Sequence, residues 1–457
     1  MPWQRFAHTK DACDPLLVKD AALPEDKPLM NEAPPWRQFM PWDEFQENHA
    51  IDANKRWQQL KAVRNPRAEH KANSFFLPET SKACQELVLA VNAALALRRP
   101  LLLSGLPGSG KTSLAFVIAN WLGLGPVLEW PVTPGALLAD ALATYNPLAR
   151  LRDLEAKAER QVEDYIRLGP VGTAFLPSSL PRVLLIDEID KGDLNLANEL
   201  LHLFEEGKFA IAELQRAERD RAASNTQAGS KPETEPEPET ESEAKTEPTP
   251  KPEPRVVEIW DELDGKPLTT PIRGGQVQCH EFPLVVMSSN GEREFPPAFN
   301  RRCLRVRMPD FSKDRDSLRR IVLSHLNAAP TKVALDSSLK RSAESATDPA
   351  DETAAEASVE TATPISAQVS LERGEESAVV SSIEQALDAF AKAAEENRGD
   401  LATDQLLNLA YLMDNNLGRR ERERLSRVLL QGLNSEAGSD ADGSSDFDHD
   451  LDDDFDD

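Results

Sequence analysis

Residues 105–112 read Gly-Leu-Pro-Gly-Ser-Gly-Lys-Thr, which fits the pattern GxxxxGK followed by Ser or Thr. In this pattern the glycines let the backbone wrap around a phosphate, while successive N–H groups and the N-terminus of the following helix supply positive potential. A short apolar strand is predicted over Pro100–Ser104, and a helix over Gly110–Leu122. This strand–loop–helix context favours a phosphate-binding loop over a glycine-rich turn with an incidental lysine.

The side chains of this loop have distinct predicted roles. Lys111 would reach the β- and γ-phosphates of a nucleotide, and the hydroxyl of Thr112 would ligate Mg2+. A nucleotide and Mg2+ are therefore the predicted ligands of this loop. The residues predicted to bind the nucleotide are Gly105, Pro107, Gly108, Ser109, Gly110, Lys111, Thr112 and Ser113.

A second apolar strand, predicted over Arg182–Ile186, ends in Asp187 and Glu188. A strand buried in a parallel sheet is a continuous apolar run, and a carboxylate at its C-terminal end lies where such sheets bind ligands. Asp187 is predicted to hold the Mg2+ shell, and Glu188 to polarise the attacking water as general base. The competing interpretation is a pair of acids in a solvated turn, which the upstream phosphate loop disfavours.

A third apolar strand, predicted over Phe282–Met287, is followed by Ser288, Ser289 and Asn290. An amide at the tip of a central strand can hydrogen-bond the γ-phosphate and orient the attacking water. Asn290 is therefore predicted to sense the nucleotide. The alternative is an asparagine that only forms a turn.

Further helices and strands are predicted around these motifs. Strands alternating with helices imply a parallel sheet covered on both faces, so the predicted fold class is α/β. The mixed charges of Pro147–Leu168 predict one solvated helix, with the i,i+4 pairs Asp153/Lys157 and Glu163/Arg167. The remaining predicted elements are a strand over Val127–Trp130 and helices over Ser81–Leu97, Leu194–Glu206, Arg315–Leu326, Ile383–Ala394, Thr403–Met413 and Arg420–Leu433.

A phosphate loop, an Asp-Glu pair, a strand-end asparagine and a downstream arginine pair, in this order, resemble an AAA+ ATPase. The MoxR-like group of that family is similar in detail, at Gly169–Gly172, at Asp187–Lys191 with Asn198–Glu206, and at Phe295–Cys303. The resemblance covers about Phe75–Pro309. It implies a three-layer α/β/α P-loop NTPase core with a small all-helical lid.

The same resemblance assigns a role to the arginine pair. Arg302 matches the arginine finger, which enters the site of the neighbouring subunit and stabilises γ-phosphate charge in the transition state, and Arg301 is the second choice. A finger acting in trans implies a homo-oligomeric ring, usually a hexamer. The alternative is an ordinary surface pair.

Composition, together with the resemblance, divides the chain into four predicted regions. The first, residues 1–74, contains four of the seven tryptophans, and it either packs on the body or binds a partner. Two acidic inserts, at about 216–254 and 331–377, contain too few apolar residues to form a core and are predicted to be disordered. The regions are a Trp/Pro-rich N-terminal arm (1–74), the AAA+ core (75–311), the helical lid (312–434) and an acidic disordered tail (435–457).

The negative charge of the chain is concentrated in three segments. The formal net charge is -26, and residues 231–254, 336–376 and 435–457 carry -5, -7 and -11 of it, which leaves -3 for the rest. A body this close to neutral argues against a chain-wide nucleic-acid footprint. Nucleic acid is therefore not an expected partner.

The tail has an apolar pattern within its acidic residues. Phe447, Leu451 and Phe455 recur every four residues, which would place them on one face of a helix formed on binding. The tail is either a solvated, inert segment or a docking peptide for a basic groove of a partner.

Cysteine usage and hydropathy bear on location. The four cysteines include no CxxC pair, which is typical of a reducing compartment. The N-terminal residues contain no apolar run like that of a signal peptide, and no stretch has the roughly 18 consecutive apolar residues of a membrane-spanning helix. The predicted location is the cytoplasm, with no membrane partner.

Two functions are compatible with these motifs. The first is a chaperone-like motor that hydrolyses ATP in a ring and remodels a client protein, since MoxR-like proteins are associated with von Willebrand factor A domain partners and with bacterial conflict systems. The second is a nucleotide-gated oligomeric scaffold with slow hydrolysis. It is favoured by the start of a lid helix near 398–405, which lacks the nucleotide-sensing arginine unless Arg398, Arg419 or Arg420 replaces it. A DNA-dependent motor has no support in a near-neutral body.

Overall fold

The computed structural model describes residues 33–63, 65–77, 81–158, 160–228, 253–311, 314–327, 383–393, 403–414, 426 and 429–430. The chain divides into two compact units, residues 1–361 and 362–457. The strands are β1 (Leu101–Ser104), β2 (Leu128–Pro131), β3 (Ala143–Tyr145), β4 (Ile166–Leu168), β5 (Val183–Asp187), β6 (Lys208–Ala210), β7 (Arg255–Leu263), β8 (Lys266–Ile272), β9 (Gln276–Gln278), β10 (Leu284–Ser289) and β11 (Leu304–Arg307).

The helices of the first unit begin in the N-terminal arm. They are α1 (Trp42–Asn48), α2 (Ala50–Ala62), α3 (Pro66–Asn73), α4 (Lys82–Leu97), α5 (Lys111–Trp121), α6 (Leu138–Leu142), α7 (Pro147–Glu155), α8 (Pro170–Ala174), α9 (Leu194–Glu206), α10 (Ala212–Ala228), α11 (Pro297–Arg302) and α12 (Arg315–Asn327). Those of the second unit are α13 (residues 383–393) and α14 (Thr403–Asp414).

The central sheet has five strands in the order β11-β1-β10-β5-β2. Every neighbouring pair is parallel, so all five strands end at the same edge. The predicted parallel α/β sheet is therefore confirmed. Because β10 lies between β1 and β5, the residue that follows β10 lies between the phosphate loop and Asp187 at that edge.

Helices cover both faces of this sheet, which gives three layers. Leu101 and Leu103 of β1 point into a buried cluster that contains apolar residues of α4 and α5. Leu184 and Ile186 of β5 point the other way, into a cluster with α8 and α9. A strand buried on both faces must be apolar at every position, which is why these strands were visible as continuous apolar runs.

Helix α9 matches its predicted bounds, Leu194–Glu206. At its start the side chain of Asp193 accepts a hydrogen bond from the backbone N–H of Asn195 at 3.4 Å. At its end Gly207 adopts a left-handed conformation, with φ +63°. An acidic N-cap and a C-terminal glycine are ordinary helix boundaries, so they can be predicted from local sequence.

A second sheet, with strand order β3-β4-β7-β8, was not predicted. Strands β7 and β8 form an antiparallel hairpin whose turn, Asp264 and Gly265, has φ +53° and +73°. Two successive left-handed residues are what a two-residue hairpin turn of type I′ requires, and Asp-Gly is a preferred pair there.

The prediction of one helix over Pro147–Leu168 is wrong. Helix α7 ends at Glu155, and after a turn of 3-10 helix at Val162–Tyr165 the chain continues as β4. Neither predicted i,i+4 ion pair is observed, because Glu163 pairs with Arg255 of β7 at 2.8 Å and Asp153 with Arg160 at 3.4 Å. Long-range pairing of β4 with β7 prevails over the local helical pattern.

The prediction that the whole insert at 216–254 is disordered is wrong for its first part. Residues 216–228 belong to α10, which runs over Ala212–Ala228. Residues 229–252, which contain most of the Pro/Glu/Thr tract, lie outside the described residues.

The N-terminal arm packs on the body over its described residues 33–63 and 65–74. Arg37 donates hydrogen bonds to the backbone oxygens of Arg98 at 2.7 Å and of Phe204 at 2.8 Å. Arg56 is buried and donates to Thr270 Oγ1 at 2.9 Å. Of the two interpretations of the arm, packing on the body therefore holds for this part, while residues 1–32 lie outside the described residues.

Three of the four predicted C-terminal helices are present as α12, α13 and α14. Helix α12 lies in the first unit, and the other two lie in the second. Within the second unit Gln405 Nε2 donates to the backbone oxygen of Leu429 at 2.8 Å. The segments that lie outside the described residues are the insert at 331–377, the tail at 435–457, Arg398, Arg419, Arg420 and most of the helix predicted over Arg420–Leu433.

Candidate nucleotide site

The phosphate loop connects β1 to α5 at the carboxyl edge of the central sheet. Gly108 and Gly110 adopt left-handed conformations, with φ +73° and +85°. A Cβ atom on Gly110 would lie 2.9 Å from Cε2 of Phe75, so the position excludes larger residues by contact as well as by conformation. The loop leads directly into the N-terminus of α5, and helix N-termini are the usual place for a phosphate.

Lys111 lies inside the loop that it follows. Its Nζ donates to the backbone oxygens of Gly105 at 2.8 Å and Leu106 at 2.9 Å, and the residue is buried. Burial lowers the pKa of the ammonium group, and the charge of Asp187 opposes this shift. Bonds to two carbonyl oxygens hold the ammonium group at the loop.

Thr112 and Asp187 meet across the site. Thr112 Oγ1 lies 3.1 Å from Asp187 Oδ1 and 3.2 Å from Asp187 Oδ2. Ser288 Oγ of the neighbouring strand also donates to Asp187 Oδ1. A hydroxyl and a carboxylate side by side are the oxygen ligands that Mg2+ takes, and Mg2+ usually completes its shell with phosphate and water. These two residues therefore fit the ion.

Glu188 begins the turn after β5 in a strained conformation, with φ +56°. Its backbone N–H donates to Ser288 Oγ at 2.8 Å, and its Oε2 accepts a hydrogen bond from Lys191 Nζ at 2.7 Å. That hydrogen bond raises the pKa of Lys191. The carboxylate of Glu188, the residue after Asp187, is thus paired with a cation of its own turn.

Asn290 follows β10, between the phosphate loop and the Asp187 turn. Its backbone N–H donates to Asp190 Oδ2 at 2.9 Å, and its side chain is half-buried. Ser113, in the first turn of α5, is also half-buried. The structure therefore brings together the phosphate loop, Asp187, Glu188 and Asn290 at one edge of the sheet.

Arg301 and Arg302 lie at the opposite edge of the same sheet. They end α11, and the next strand begins at Leu304, which is paired with Leu101 at the start of β1. Four strand residues span about 13 Å, and the phosphate loop follows the far end of β1. Arg302 pairs with Glu205 and donates to the backbone oxygen of Ala298 at 3.2 Å, whereas Arg301 is exposed.

Three further residues contact the site, and their roles were not predicted from the sequence. Ser288 contacts both Asp187 and the Glu188 backbone, Asp190 contacts the turn after β10, and Lys191 pairs with Glu188. A signal existed for Ser288, because a hydroxyl at the end of an otherwise apolar buried strand needs a hydrogen-bond partner. Asp190 had no such signal, because its partners lie about 100 residues further along the chain. Lys191 follows Glu188 by three residues, a spacing at which opposite charges can pair.

Within the described residues, no cluster of three or more His, Cys, Asp or Glu side chains forms a metal site. Mg2+ needs only one or two protein oxygens when phosphate is present, so this agrees with the Thr112–Asp187 pair. None of the described helices has the length and apolar character needed to cross a membrane.

Comparison with known proteins adds a domain match. Residues 100–231 match the family model of the AAA domain (dynein-related subfamily), a range that includes the phosphate loop, Asp187 and Glu188. No curated protein matches the chain.

The chain is also similar to solved structures at low identity. NtrX from Brucella abortus in complex with ADP is 13% identical, with 62% of this chain and 48% of that chain covered and a TM-score of 0.28. A protein from Cytophaga hutchinsonii described as a "putative ATPase" is 12% identical, with 83% and 88% covered and a TM-score of 0.26. The chain thus spans about half the length of NtrX. The chain therefore has an α/β core with a parallel central sheet, and residues 100–231 match the AAA domain model.

Proposed function

We propose that the chain is a MoxR-like AAA+ ATPase that binds ATP with Mg2+ and hydrolyses it. The observation that supports this proposal most is the 3.1 Å contact between Thr112 Oγ1 and Asp187 Oδ1, beside a glycine-rich loop that leads into the N-terminus of α5. An AAA-domain match over the same segment supports nucleotide hydrolysis in general terms.

In this proposal the loop residues bind the triphosphate. The backbone of Gly105–Gly110 surrounds the β-phosphate, and Lys111 moves from the loop carbonyls to the β- and γ-phosphates. Thr112 and Asp187 hold Mg2+, which when bound neutralises charge that develops on the phosphate oxygens. Lys111 is buried, so its charge is poorly screened by water and acts strongly on a phosphate nearby.

Two further residues act on the attacking water. Glu188 accepts its proton as general base, which requires its carboxylate to leave Lys191. Asn290 orients the water or the γ-phosphate by its amide, since it follows the strand between β1 and β5.

The wider proposal is a cytoplasmic ring, of hexameric type, that remodels a protein partner with a von Willebrand factor A domain or within a bacterial conflict system. Arg302 would act in the site of the neighbouring subunit, because its own phosphate loop lies at the other edge of the sheet. An oligomer is then required for hydrolysis.

A nucleotide-gated scaffold with slow hydrolysis is the second candidate. One specific observation favours it: the proposed general base Glu188 is engaged with Lys191 at 2.7 Å. A base held in this way is less available to water, which lowers turnover and favours control of assembly by the bound nucleotide.

One experiment tests both the ring motor and the scaffold. The rate of ATP hydrolysis per subunit is measured against protein concentration, with particle size measured in parallel. A ring motor gives a rate that rises with assembly and then reaches a plateau. A scaffold assembles on ATP with almost no turnover. If ATP is neither bound nor hydrolysed at any concentration, the ATPase proposal is wrong.

A further inference from the structure

Asp190 is a buried carboxylate that lies behind the turn after β10. It is 2% exposed, and its Oδ2 accepts three hydrogen bonds. The donors are Ser289 Oγ at 3.0 Å, the Asn290 backbone N–H at 2.9 Å and the Glu292 backbone N–H at 3.1 Å. One oxygen atom therefore fixes the direction in which the chain leaves β10, immediately around Asn290.

This carboxylate is costly for the fold. Its other oxygen, Oδ1, is buried without a hydrogen-bond partner, and no described lysine or arginine forms an ion pair with it. The charges of Lys111 and Lys191 act on Asp190 without forming an ion pair with it. Burying a carboxylate that has no directly paired cation opposes folding, and neutral groups could close a turn of this kind. A buried polar atom without a partner is expected mainly where the geometry serves a function.

Asp190 also connects the turn to the rest of the site. It lies three residues after Asp187, at the end of the same acidic turn. Two neighbouring serines of β10 contact the two ends of this turn, since Ser288 donates to Asp187 and Ser289 to Asp190. The metal-binding acid, the general base and the strand-end asparagine thus belong to one hydrogen-bonded unit.

We infer that Asp190 is a positioning residue, which holds the Asn290 backbone so that the amide side chain faces the reacting phosphate; the inference rests on the proposed ATPase function. Because Asp190 is buried behind the turn, it acts through Asn290 and not directly on the nucleotide. Its loss therefore lowers the rate of the chemical step through Asn290 and leaves nucleotide binding by the phosphate loop intact.

A double-mutant cycle with Asn290 tests this relationship. Asp190→Asn, Asn290→Ala and the double variant are compared with wild type for kcat of ATP hydrolysis and for Kd of a fluorescent ATP analogue. We expect Asp190→Asn to lower kcat by about 10- to 100-fold, since small misplacement of a catalytic group has effects of that size. Kd should change by less than about threefold, because the loop contacts remain. In the Asn290→Ala background the same substitution should lower kcat by no more than about twofold.

Two further variants separate positioning from folding. Asp190→Leu leaves all three donors unpaired, so it should lose more activity than Asp190→Asn, which retains an acceptor oxygen. Glu294→Gln removes an exposed acid of the same loop and should match wild type. If Asp190→Asn does not fold, as judged by thermal unfolding, Ser289→Ala replaces it in the cycle, since that variant removes one of the three donors.

The outcomes are distinct. Equal loss of kcat from Asp190→Asn in both backgrounds, or a kcat unchanged from wild type, overturns the positioning role while the ATPase proposal stands. A parallel loss of nucleotide affinity overturns it as well, because the effect would then be on binding. If wild type itself fails to hydrolyse ATP, the proposed function fails, and the positioning role fails with it.

Discussion

Lys191 Nζ lies 2.7 Å from Glu188 Oε2, so the carboxylate proposed as general base is paired with a cation three residues along the chain. Both side chains are partly exposed, at 38% and 44%. Ion pairs with this much contact with water are weak, because solvent screens them and two long side chains must be ordered. The pair therefore restrains Glu188 without removing it from the site.

Replacing Lys191 should release that restraint. We expect Lys191→Met to raise kcat of ATP hydrolysis by about two- to threefold, a small effect because the pair is accessible to water. Lys191→Arg keeps the cation and is the matched control, with a rate near wild type. Steady-state phosphate release at saturating ATP measures both. A tenfold loss in Lys191→Met would contradict the restraint and indicate that Lys191 itself assists the reaction.

Removing the proposed base should stop the chemistry and leave binding intact. We expect Glu188→Gln to lower kcat by about 10²- to 10⁴-fold, the usual contribution of a general base. Nucleotide stays bound, because the phosphate loop and Asp187 are unchanged, so the variant should also stabilise the assembled form. Turnover and retained nucleotide are measured on the purified protein, with Glu294→Gln as the control for loss of an acid. Hydrolysis by Glu188→Gln at the wild-type rate would show that the base is another residue.

A buried ion pair attaches the second sheet to the core. Arg182 forms a bidentate ion pair with Asp261 of β7, with N–O distances of 2.8 and 2.9 Å, and both side chains are 4% exposed. Asp261→Ala would leave a buried guanidinium unpaired, so we expect the free energy of unfolding to fall by about 3–5 kcal/mol. Its neighbour Glu262 pairs with Arg167 at the surface, and Glu262→Ala should cost less than about 1 kcal/mol.

Chemical denaturation of the two variants measures this difference. The midpoint for Asp261→Ala should shift clearly, and that for Glu262→Ala should stay near wild type. Equal midpoints for Asp261→Ala and wild type would mean that Arg182 finds another acceptor. It already donates to the Pro126 backbone oxygen at 2.9 Å, which is the nearest candidate.

The parts of the fold that could be predicted from sequence are those with local causes. The phosphate loop is specified by its own glycines and lysine, and β5 by a continuous apolar run that ends in Asp187. Helix α9 has a capping acid before it and a glycine after it. In each case the residues that determine the structure are close together in the chain, so no knowledge of tertiary contacts was needed.

The second sheet depends on contacts that are distant in sequence. Strand β4 contains the charged Arg167, and its pairing partner Glu258 lies 91 residues further on. Only the β7–β8 hairpin had a local signal, since buried and exposed residues alternate along β7 and Asp264-Gly265 follows it. The bonds of Asp190 to the turn around Asn290 span about 100 residues, so they too required the folded sheet.

The position of Arg302 predicts that hydrolysis needs two subunits. Within its own chain Arg302 pairs with Glu205, at the edge of the sheet away from the phosphate loop. If it acts as a finger on a neighbour, Arg302→Ala should lower kcat by about 10³-fold or more. Arg301→Ala, a change at the exposed adjacent arginine, should have a much smaller effect, and the reverse order would assign the finger to Arg301.

Mixing two inactive variants tests action in trans. Arg302→Ala subunits keep an intact phosphate loop, and Lys111→Ala subunits keep the finger, so a mixed assembly contains sites with both parts. We expect activity to return on mixing and to depend on the ratio of the two variants. Different affinity tags on the variants allow mixed particles to be isolated before phosphate release is measured. Mixed particles without activity would show that Arg302 supplies no finger to a neighbour. The loss of activity in Arg302→Ala alone would then result from breaking the Arg302–Glu205 pair within one chain.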